Sequence, residues 1–351
     1  MTPRARDLGI PLNGTPGPRN AITDVAGVEV GAVTLIADIP HIARTGVTAI
    51  LPRPRGGLFN PVWAGQFNMN GNGEMTGAHW INEAGWFTGP ITLTNTFSIG
   101  RAHHATVQWM AEHFAELARG EQFILPVVAE TFDGYLSDIA RFPVTEAHVL
   151  AAIDAARPGK VAEGNVGGGT GMIAYEFKGG TGTASRIVRV DGADYTIGAL
   201  VQANHGLRPW LTIAGVPVGQ MIPEGRFRGV EQGSIIGIVA TDAPLLPSQL
   251  QRLARRAALG MGRAGTPSGN SSGDLFLAFS TANDPGRAPE PSRYRMDCLG
   301  NGTLDPVFLA VVESVDEAVL NAMVAAETMT GRNGRTVQAI GHERLREIFG
   351  G

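Results

Sequence analysis

Several classes of protein are excluded by what this chain lacks. Cys298 is the only cysteine among 351 residues, so neither an intrachain disulfide nor a site built from several thiolates can form. No run approaches the roughly 18 apolar residues from which a membrane-spanning helix is built. Like charges do not cluster, and the net charge of −4 is not accompanied by the basic face of a nucleic-acid-binding protein. We therefore expect neither a membrane nor a nucleic acid as a partner.

The composition that remains is that of a globular protein. Hydrophobic residues make up 43% and charged residues 17%, which is enough apolar surface for a substantial core. The 48 glycines indicate many tight turns around functional loops. The first 20 residues contain no apolar segment of the kind found in a signal peptide, so a cytoplasmic protein is expected. No separate domain is recognised, and residues 1–351 are interpreted as one domain.

Apolar periodicity predicts strands in runs and helices in pairs, without strict β-α-β alternation. This order favours an α+β fold with sheets buried between helices. Asp191-Gly192 predicts a hairpin turn, and a capping-box spacing from Ser314 to Glu317 predicts the start of a late helix. The predicted strands are 28–36, 47–53, 123–131, 184–190, 192–204, 211–219, 233–241 and 275–281, and the predicted helices are 103–118, 145–157, 247–262 and 314–330.

The segment 56–101 is dense in Gly, Asn and Thr, which are poor helix formers. It is interpreted as short strands and long loops that shape a pocket. Its three tryptophans, Trp63, Trp80 and Trp86, either line that pocket or pack in the core.

The segment that carries chemistry is Gly269-Asn-Ser-Ser-Gly-Asp274, which leads directly into an apolar strand. A serine hydroxyl is a weak nucleophile and needs a base. If the chain is cut before Ser272, its new α-amine, with a reference pKa of about 7.7–8, can accept the proton of its own hydroxyl. That is the arrangement of an N-terminal-nucleophile hydrolase. By itself, however, a loop rich in serine and glycine is more often a plain loop.

A resemblance over nearly the whole chain changes this interpretation. The motifs that carry it, in order along the chain, are NAITDVAGVEVGAVTL, GVTAILPR, NGNGEMTG, VVAETFDGYLSD, EGNVGGGTGM, GALVQANHG, ATDAPLLPSQLQRLARRAALGMGRAG, NSSGDLFLAFST and EAVLNAM. In these motifs and their order, the sequence resembles the DmpA/BapA family, which comprises L-aminopeptidase/D-amidase/D-esterase and β-peptidyl aminopeptidases. The resemblance implies cleavage between Ser271 and Ser272, with Ser272 as nucleophile, giving an α part of 1–271 and a β part of 272–351. It also implies a four-layer αββα sandwich and a homotetramer.

The same resemblance implies roles for three residues around the serine. Asn204 matches the asparagine of the oxyanion hole, where an amide donor stabilises developing negative charge. Tyr135 matches a tyrosine that is a candidate donor to the tetrahedral intermediate. Glu130 matches a carboxylate near the amino group of the substrate, and such a pair would explain selectivity for a free amine. Without the family, Asn204 and Glu130 could simply be polar residues at strand ends.

The family also places a hydroxyl and a glutamate where they orient the nucleophile's α-amine. Glu317 matches the glutamate, but Val315 occupies the position of the hydroxyl, for which Ser314 or Asp316 could substitute. The alternative is that Ser314 and Glu317 only cap a helix. Asn165, beside a run of glycines, could support the site or belong to a plain turn.

These residues predict a self-processing aminopeptidase or amidase that acts on small peptides, amides or esters with a free amine. No cofactor and no metal are expected, because the histidines are scattered. Two alternatives remain open: an acyl transferase like ornithine acetyltransferase, which uses a threonine nucleophile, and an unprocessed family member that only binds. The sequence leaves the choice among L-, D- and β-aminoacyl substrates open.

Overall fold

The central strands are buried along their whole length, so both faces of their sheet must be covered. Every residue of β11, Ser234–Thr241, and of β12, Gly273–Ser280, is buried. A computed structural model, which describes residues 3–286 and 292–350, shows how this is achieved. Two sheets lie face to face, and each carries helices on its outer side.

The larger sheet has six strands in the order β4-β3-β12-β11-β10-β9, and the smaller has four in the order β1-β2-β5-β6. β11 and β12 run parallel, as do β5 and β6, while the other pairs in these two sheets are antiparallel. The remaining strands are β1 Glu29–Ala37, β2 Ala43–Leu51, β3 Val62–Gly71, β4 Trp86–Phe87, β5 Ile91–Asn95, β6 Val127–Thr131, β7 Ile173–Ala174, β8 Phe177–Lys178, β9 Gly180–Val190, β10 Ala193–Asn204, β13 Met329–Thr330 and β14 Thr336–Val337.

Two pairs of helices form the outer layers. α6 and α7 pack on the six-stranded sheet, and α2 and α4 pack on the four-stranded sheet. An apolar core fills the space between the sheets, with Leu200, Ile236 and Leu277 facing Leu93 and Ala129. The helices are α1 Ala78–Ala84, α2 Ile99–His113, α3 Ala115–Ala118, α4 Glu146–Asp154, α5 Val218–Met221, α6 Pro247–Arg263, α7 Asp305–Val324 and α8 His342–Phe349.

This arrangement confirms the predicted four-layer αββα sandwich. The hairpin at Asp191-Gly192 joins β9 to β10, as predicted. Among residues 3–286 and 292–350, no helix is both long enough and apolar enough to cross a bilayer.

Three predictions of local structure are wrong. The late helix begins at Asp305, not at Ser314, because Pro306 in its first turn and the apolar run after it extend it toward the N-terminus. Ser314 is therefore a buried residue in the middle of α7. The helix α1 lies inside the segment 56–101, and the segment 211–219 forms an isolated bridge and the start of α5 instead of a strand.

The strand register brings the predicted nucleophile and Asn204 to one end of the six-stranded sheet. Asn204 of β10 pairs with Ser234 of β11, and Gly273 of β12 pairs with Gly71 of β3. Ile235, which follows Ser234, pairs with Asp274. We call this edge, defined by Asn204, Ser234, Gly273 and Gly71, the Ser272 end of the sheet.

Candidate active site

Ser272 lies at the junction of a loop and a buried strand. Its side chain is fully buried, and its N–H donates to the carbonyl of Gly269 at 2.9 Å. The next N–H, of Gly273, donates to the hydroxyl of Ser234 on β11 at 3.0 Å. The hydroxyl is therefore held in place at the start of β12.

Asp274 is the closest polar neighbour of that hydroxyl. The Ser272 Oγ donates to Asp274 Oδ1 at 2.6 Å, and the same oxygen accepts the N–H of Ile235 at 3.2 Å. The second carboxylate oxygen accepts the hydroxyl of Ser268. Burial raises the pKa of Asp274, and these hydrogen bonds offset only part of the rise. Sequence reasoning gave Asp274 no role, although residues two apart at a strand start share a face.

Two asparagines at the end of β3 hold the carbonyls of the serine loop. Asn72 Nδ2 donates to the carbonyl oxygen of Ser271 at 2.7 Å, and Asn70 Nδ2 donates to that of Gly269 at 2.6 Å. Both were missed, because their position depends on the pairing of β3 with β12.

The tryptophans of the same segment lie elsewhere. Trp63 pairs with Ser280, at the opposite end of β12 from Ser272, and Trp86 pairs with Trp63. Trp80 packs edge-on against Trp86. Trp63 is buried in the core, whereas Trp80 is exposed, and the part of 56–101 that reaches the serine is its turn at 70–74.

Asn204 lies at the Ser272 end of the sheet, on β10, two strands from β12. Its Oδ1 accepts the N–H of Ile173 at 2.8 Å, and its Nδ2 donates to the carbonyl of Phe132 at 3.1 Å. These bonds fix the plane of a buried amide. Glu231 connects this region to the serine loop, because its carboxylate accepts the N–H groups of both Gly206 and Gly269.

Glu130 reaches the same region from the four-stranded sheet. It is 5% exposed and accepts the N–H of Glu74 at 3.0 Å and the hydroxyl of Thr96. Burial raises its pKa, and those hydrogen bonds lower it only in part. A β-carbon added to Gly73 would lie 3.4 Å from both Glu130 Oε1 and the Cα of Gly273. The carboxylate and the start of β12 thus both lie beside Gly73.

Tyr135 stands on the loop that follows β6. Its ring stacks on Phe227 at 4.8 Å between centroids, and the guanidinium of Arg335 lies over the ring at 4.7 Å. The same loop begins at Phe132, whose carbonyl holds the Asn204 amide. Tyr135 is therefore on the Asn204 side of the site.

Glu317 does not lie beside Ser272, which corrects the sequence prediction. It is fully buried and binds Arg186 at 2.7 Å, Arg6 at 2.9 Å and the amide of Asn20. Arg186 belongs to β9, which β10 and β11 separate from β12 by about 14 Å at the usual strand spacing. Glu317 thus belongs to a buried ion cluster and cannot orient the α-amine of Ser272.

Of the two residues suggested to substitute for the missing hydroxyl, Ser314 lies toward the other end of β10 from Asn204. Ser314 Oγ lies 3.4 Å from the carbonyl of Ile197, seven residues along β10 from Asn204, or roughly 23 Å. Asp316 faces Arg263 at 3.8 Å, and burial raises its pKa to about 6.

Asn165 makes no contact with the serine loop in the described part of the chain. Its side-chain amide pairs with the backbone of Glu327, donating at 2.9 Å and accepting at 3.3 Å. Asn165 therefore braces the segment after α7.

A buried serine hydroxyl that opens a central strand, within two sheets packed between helices, is the arrangement of an N-terminal-nucleophile hydrolase. Comparison with known proteins narrows this class. A model of peptidase family S58 matches residues 20–337, and the chain belongs to that family. It is 49% identical to the β-peptidyl aminopeptidase BapA of Sphingosinicella microcystinivorans, over 99% of this chain and 92% of the relative.

Solved structures agree with the family. The L-aminopeptidase D-Ala-esterase/amidase of Ochrobactrum anthropi, described as a variant of the Ntn hydrolase fold, has a TM-score of 0.94 and 56% identity over 99% of this chain and 98% of its own. A Burkholderia sp. β-aminopeptidase has a TM-score of 0.92 and 45% identity over 98% of each chain. The predicted family and the predicted class of enzyme, an aminopeptidase, are confirmed. Neither the acyl transferase nor the non-catalytic alternative is supported.

Proposed function

We propose that this protein cuts its own chain between Ser271 and Ser272 and then works as an aminopeptidase or amidase with Ser272 as its N-terminal nucleophile. The observation that carries the proposal is the buried hydroxyl of Ser272 at the start of β12, hydrogen-bonded to a carboxylate in a chain of family S58. The products are an α part of 1–271 and a β part of 272–351. The released α-amine is the general base for hydrolysis.

The other proposed roles follow from charge and position. Asn204, whose buried amide is fixed in place, donates to the oxyanion of the tetrahedral intermediate, and Tyr135 on the neighbouring loop is a second donor. Glu130, which lies beside Gly73 as the start of β12 does, binds the ammonium group of the substrate. No cation pairs with Glu130 among residues 3–286 and 292–350, and a buried carboxylate of this kind is suited to that task because the substrate supplies a positive charge.

The proposed substrates are small peptides, amides or esters with a free amine and a β-aminoacyl, small L-aminoacyl or D-alanyl first residue. The relatives support this range, since some are named β-peptidyl aminopeptidases and another L-aminopeptidase D-Ala-esterase/amidase. A panel of β-alanyl, L-alanyl and D-alanyl p-nitroanilides measures the preference. The homotetramer and the cytoplasmic location remain predictions.

Ser272→Ala tests the proposal directly. The variant should remain one full-length chain on a denaturing gel and show no activity, because both reactions need its hydroxyl. Ser271→Ala is the matched control, since the side chain before the cut supplies no reacting atom, and it should still split. Splitting of Ser272→Ala, or a β part that begins at another residue, would refute the assignment.

A further inference from the structure

The uncut chain poses a chemical problem that the mature enzyme does not. Before cleavage, the nitrogen of Ser272 belongs to a peptide bond and its N–H donates to Gly269. An amide nitrogen has no basic lone pair, so it cannot accept the proton of the hydroxyl. Self-cleavage therefore needs a base other than the α-amine that it creates.

We propose that Asp274 is the general base of self-cleavage and that Asn72 stabilises the oxyanion formed in that step. Both contacts are made to reacting groups. Asp274 Oδ1 accepts a hydrogen bond from the Ser272 hydroxyl at 2.6 Å. Asn72 Nδ2 donates a hydrogen bond to the oxygen of the scissile carbonyl, that of Ser271, at 2.7 Å. The proposal rests on cleavage before Ser272 and adds a second set of groups around the same nucleophile.

The step balances as follows. Ser272 Oγ attacks the carbonyl carbon of Ser271 while its proton passes to Asp274 Oδ1, and the carbonyl oxygen becomes an oxyanion held by Asn72. When the intermediate collapses, the C–N bond breaks and Asp274 returns the proton to the departing nitrogen, which becomes the α-amine. An ester then joins Ser271 to Ser272 Oγ. Water hydrolyses it, releasing the carboxylate of Ser271 and restoring the hydroxyl.

The surroundings of Asp274 suit it to this exchange. Its hydrogen bonds in the described part of the chain come from two hydroxyls and one backbone N–H, all neutral. Because burial raises its pKa, the carboxylate is a better proton acceptor than an exposed aspartate. Ser268 and Ile235 hold the carboxyl group so that one oxygen faces the nucleophile.

Cleavage rates of freshly synthesised full-length chains test the proposal. The chain is made by cell-free translation, synthesis is stopped, and splitting is followed on a denaturing gel and by intact mass. Asp274→Asn keeps the size of the side chain but cannot accept the proton, so splitting should slow by about 10²–10⁴-fold. Asn72→Ala should slow it by about 10²–10³-fold, the usual effect of losing one oxyanion donor.

Two controls separate chemistry from loop support. Asn70→Ala removes the neighbouring contact, to Gly269 and not to the scissile carbonyl, and should slow splitting far less than Asn72→Ala. Asp242→Asn changes a half-buried aspartate whose pKa burial also raises, but at the opposite end of β11, and should leave splitting unchanged. Equal effects of Asn70→Ala and Asn72→Ala would overturn the role of Asn72.

A thiol nucleophile gives a readout that a purely structural role of Asp274 would not change. A thiol, with a reference pKa of about 8.5, loses its proton far more readily than a hydroxyl and therefore depends less on a base. In a Ser272→Cys chain at pH 9, Asp274→Asn should therefore slow splitting by less than about 10-fold. The same loss in both backgrounds would show that Asp274 only holds the loop, and normal splitting of Asp274→Asn would also refute the proposal. If only these variants behave unexpectedly while Ser272→Ala stays intact, the proposed function stands.

Discussion

Two buried carboxylates, one on a strand of the six-stranded sheet and one on the helix α7 that packs against it, have opposite surroundings. Glu317, on the α7 side of the edge strand β9, is bound by the guanidinium groups of Arg6 and Arg186. Asp274, at the start of β12, accepts its hydrogen bonds from neutral groups. Burial alone would raise both pKa values, but the contacts with Arg6, Arg186 and Asn20 bring that of Glu317 below its ordinary value. That of Asp274 stays raised.

The difference separates a structural charge from a reactive one. A carboxylate whose charge is fully matched by cations has little tendency to take up a proton, so Glu317 is suited to holding the N-terminal arm, β9 and α7 together. A buried carboxylate whose partners are neutral can exchange a proton with a hydroxyl among them. Asp274 is in that state, and the hydroxyl is that of Ser272. Glu130, also raised in pKa by burial, shares this property at the same end of the molecule.

The largest expected effect follows from removing the charge partner of Glu317. Arg186→Met leaves Glu317 buried beside a partly exposed Arg6, and loss of one partner of a buried ion pair typically costs about 3–5 kcal/mol. Denaturant unfolding of the uncut Ser272→Ala chain should show this decrease in the free energy of unfolding.

Arg189→Met is the matched control for this prediction. It lies on the same strand, but its ion pair with Asp194 is well exposed, so it should change stability by less than about 1 kcal/mol. Equal effects of the two substitutions would show that the cluster at Glu317 is not a structural centre.

At the Ser272 end, the corresponding change should alter activity and not stability. Glu130→Gln removes the charge proposed to bind the substrate ammonium, and hydrogen bonds to charged groups contribute about 1.5–3 kcal/mol. The value of kcat/KM for an amine-bearing p-nitroanilide should fall by about 10- to 100-fold, mainly through KM. Glu74→Gln, an exposed neighbour on the adjoining turn, should change it little. A fall in kcat at constant KM would contradict the binding role of Glu130.

The comparison also shows which parts could be predicted from the sequence. The α+β class followed from the order of apolar strands and helices, and the resemblance to the family implied its four layers. Glu317 was also assigned from the resemblance. Its actual position follows from a helix that begins earlier, at Asp305, and lies over the opposite edge of the sheet.

Residues joined by strand pairing were beyond sequence reasoning. Asn72 and the serine loop are 199 residues apart, and only the antiparallel pairing of β3 with β12 brings them together. Asp274 was visible in the motif beside Ser272. The role proposed for Asp274 depends on the burial of its carboxylate among neutral partners, and this burial is a property of the folded structure.

The smallest expected effect is a difference of sign in the pH dependence of stability. In uncut Ser272→Ala chains, the stabilisation due to Glu317 is present above its unfolded pKa of about 4.3 and is lost as the pH falls through its lower folded pKa. Asp274 has a raised pKa, so its contribution is present below about 3.9 and is lost as the pH rises through its folded value. Each unit of pKa difference corresponds to about 1.4 kcal/mol.

Unfolding free energies measured between pH 3 and 8 should therefore change in opposite directions when each carboxyl group is replaced. Relative to the Ser272→Ala chain, Glu317→Gln should be most destabilising at neutral pH, and its deficit should shrink in acid. The free energy of unfolding of the Asp274→Asn chain, relative to the Ser272→Ala chain, should be highest at neutral pH. There the substitution removes a buried charge that no cation matches in the described part of the chain. In acid, where Asp274 is protonated, this relative gain in stability should disappear. If the effects of both substitutions on the free energy of unfolding changed with pH in the same direction, the folded pKa values of Glu317 and Asp274 would not be shifted in opposite directions.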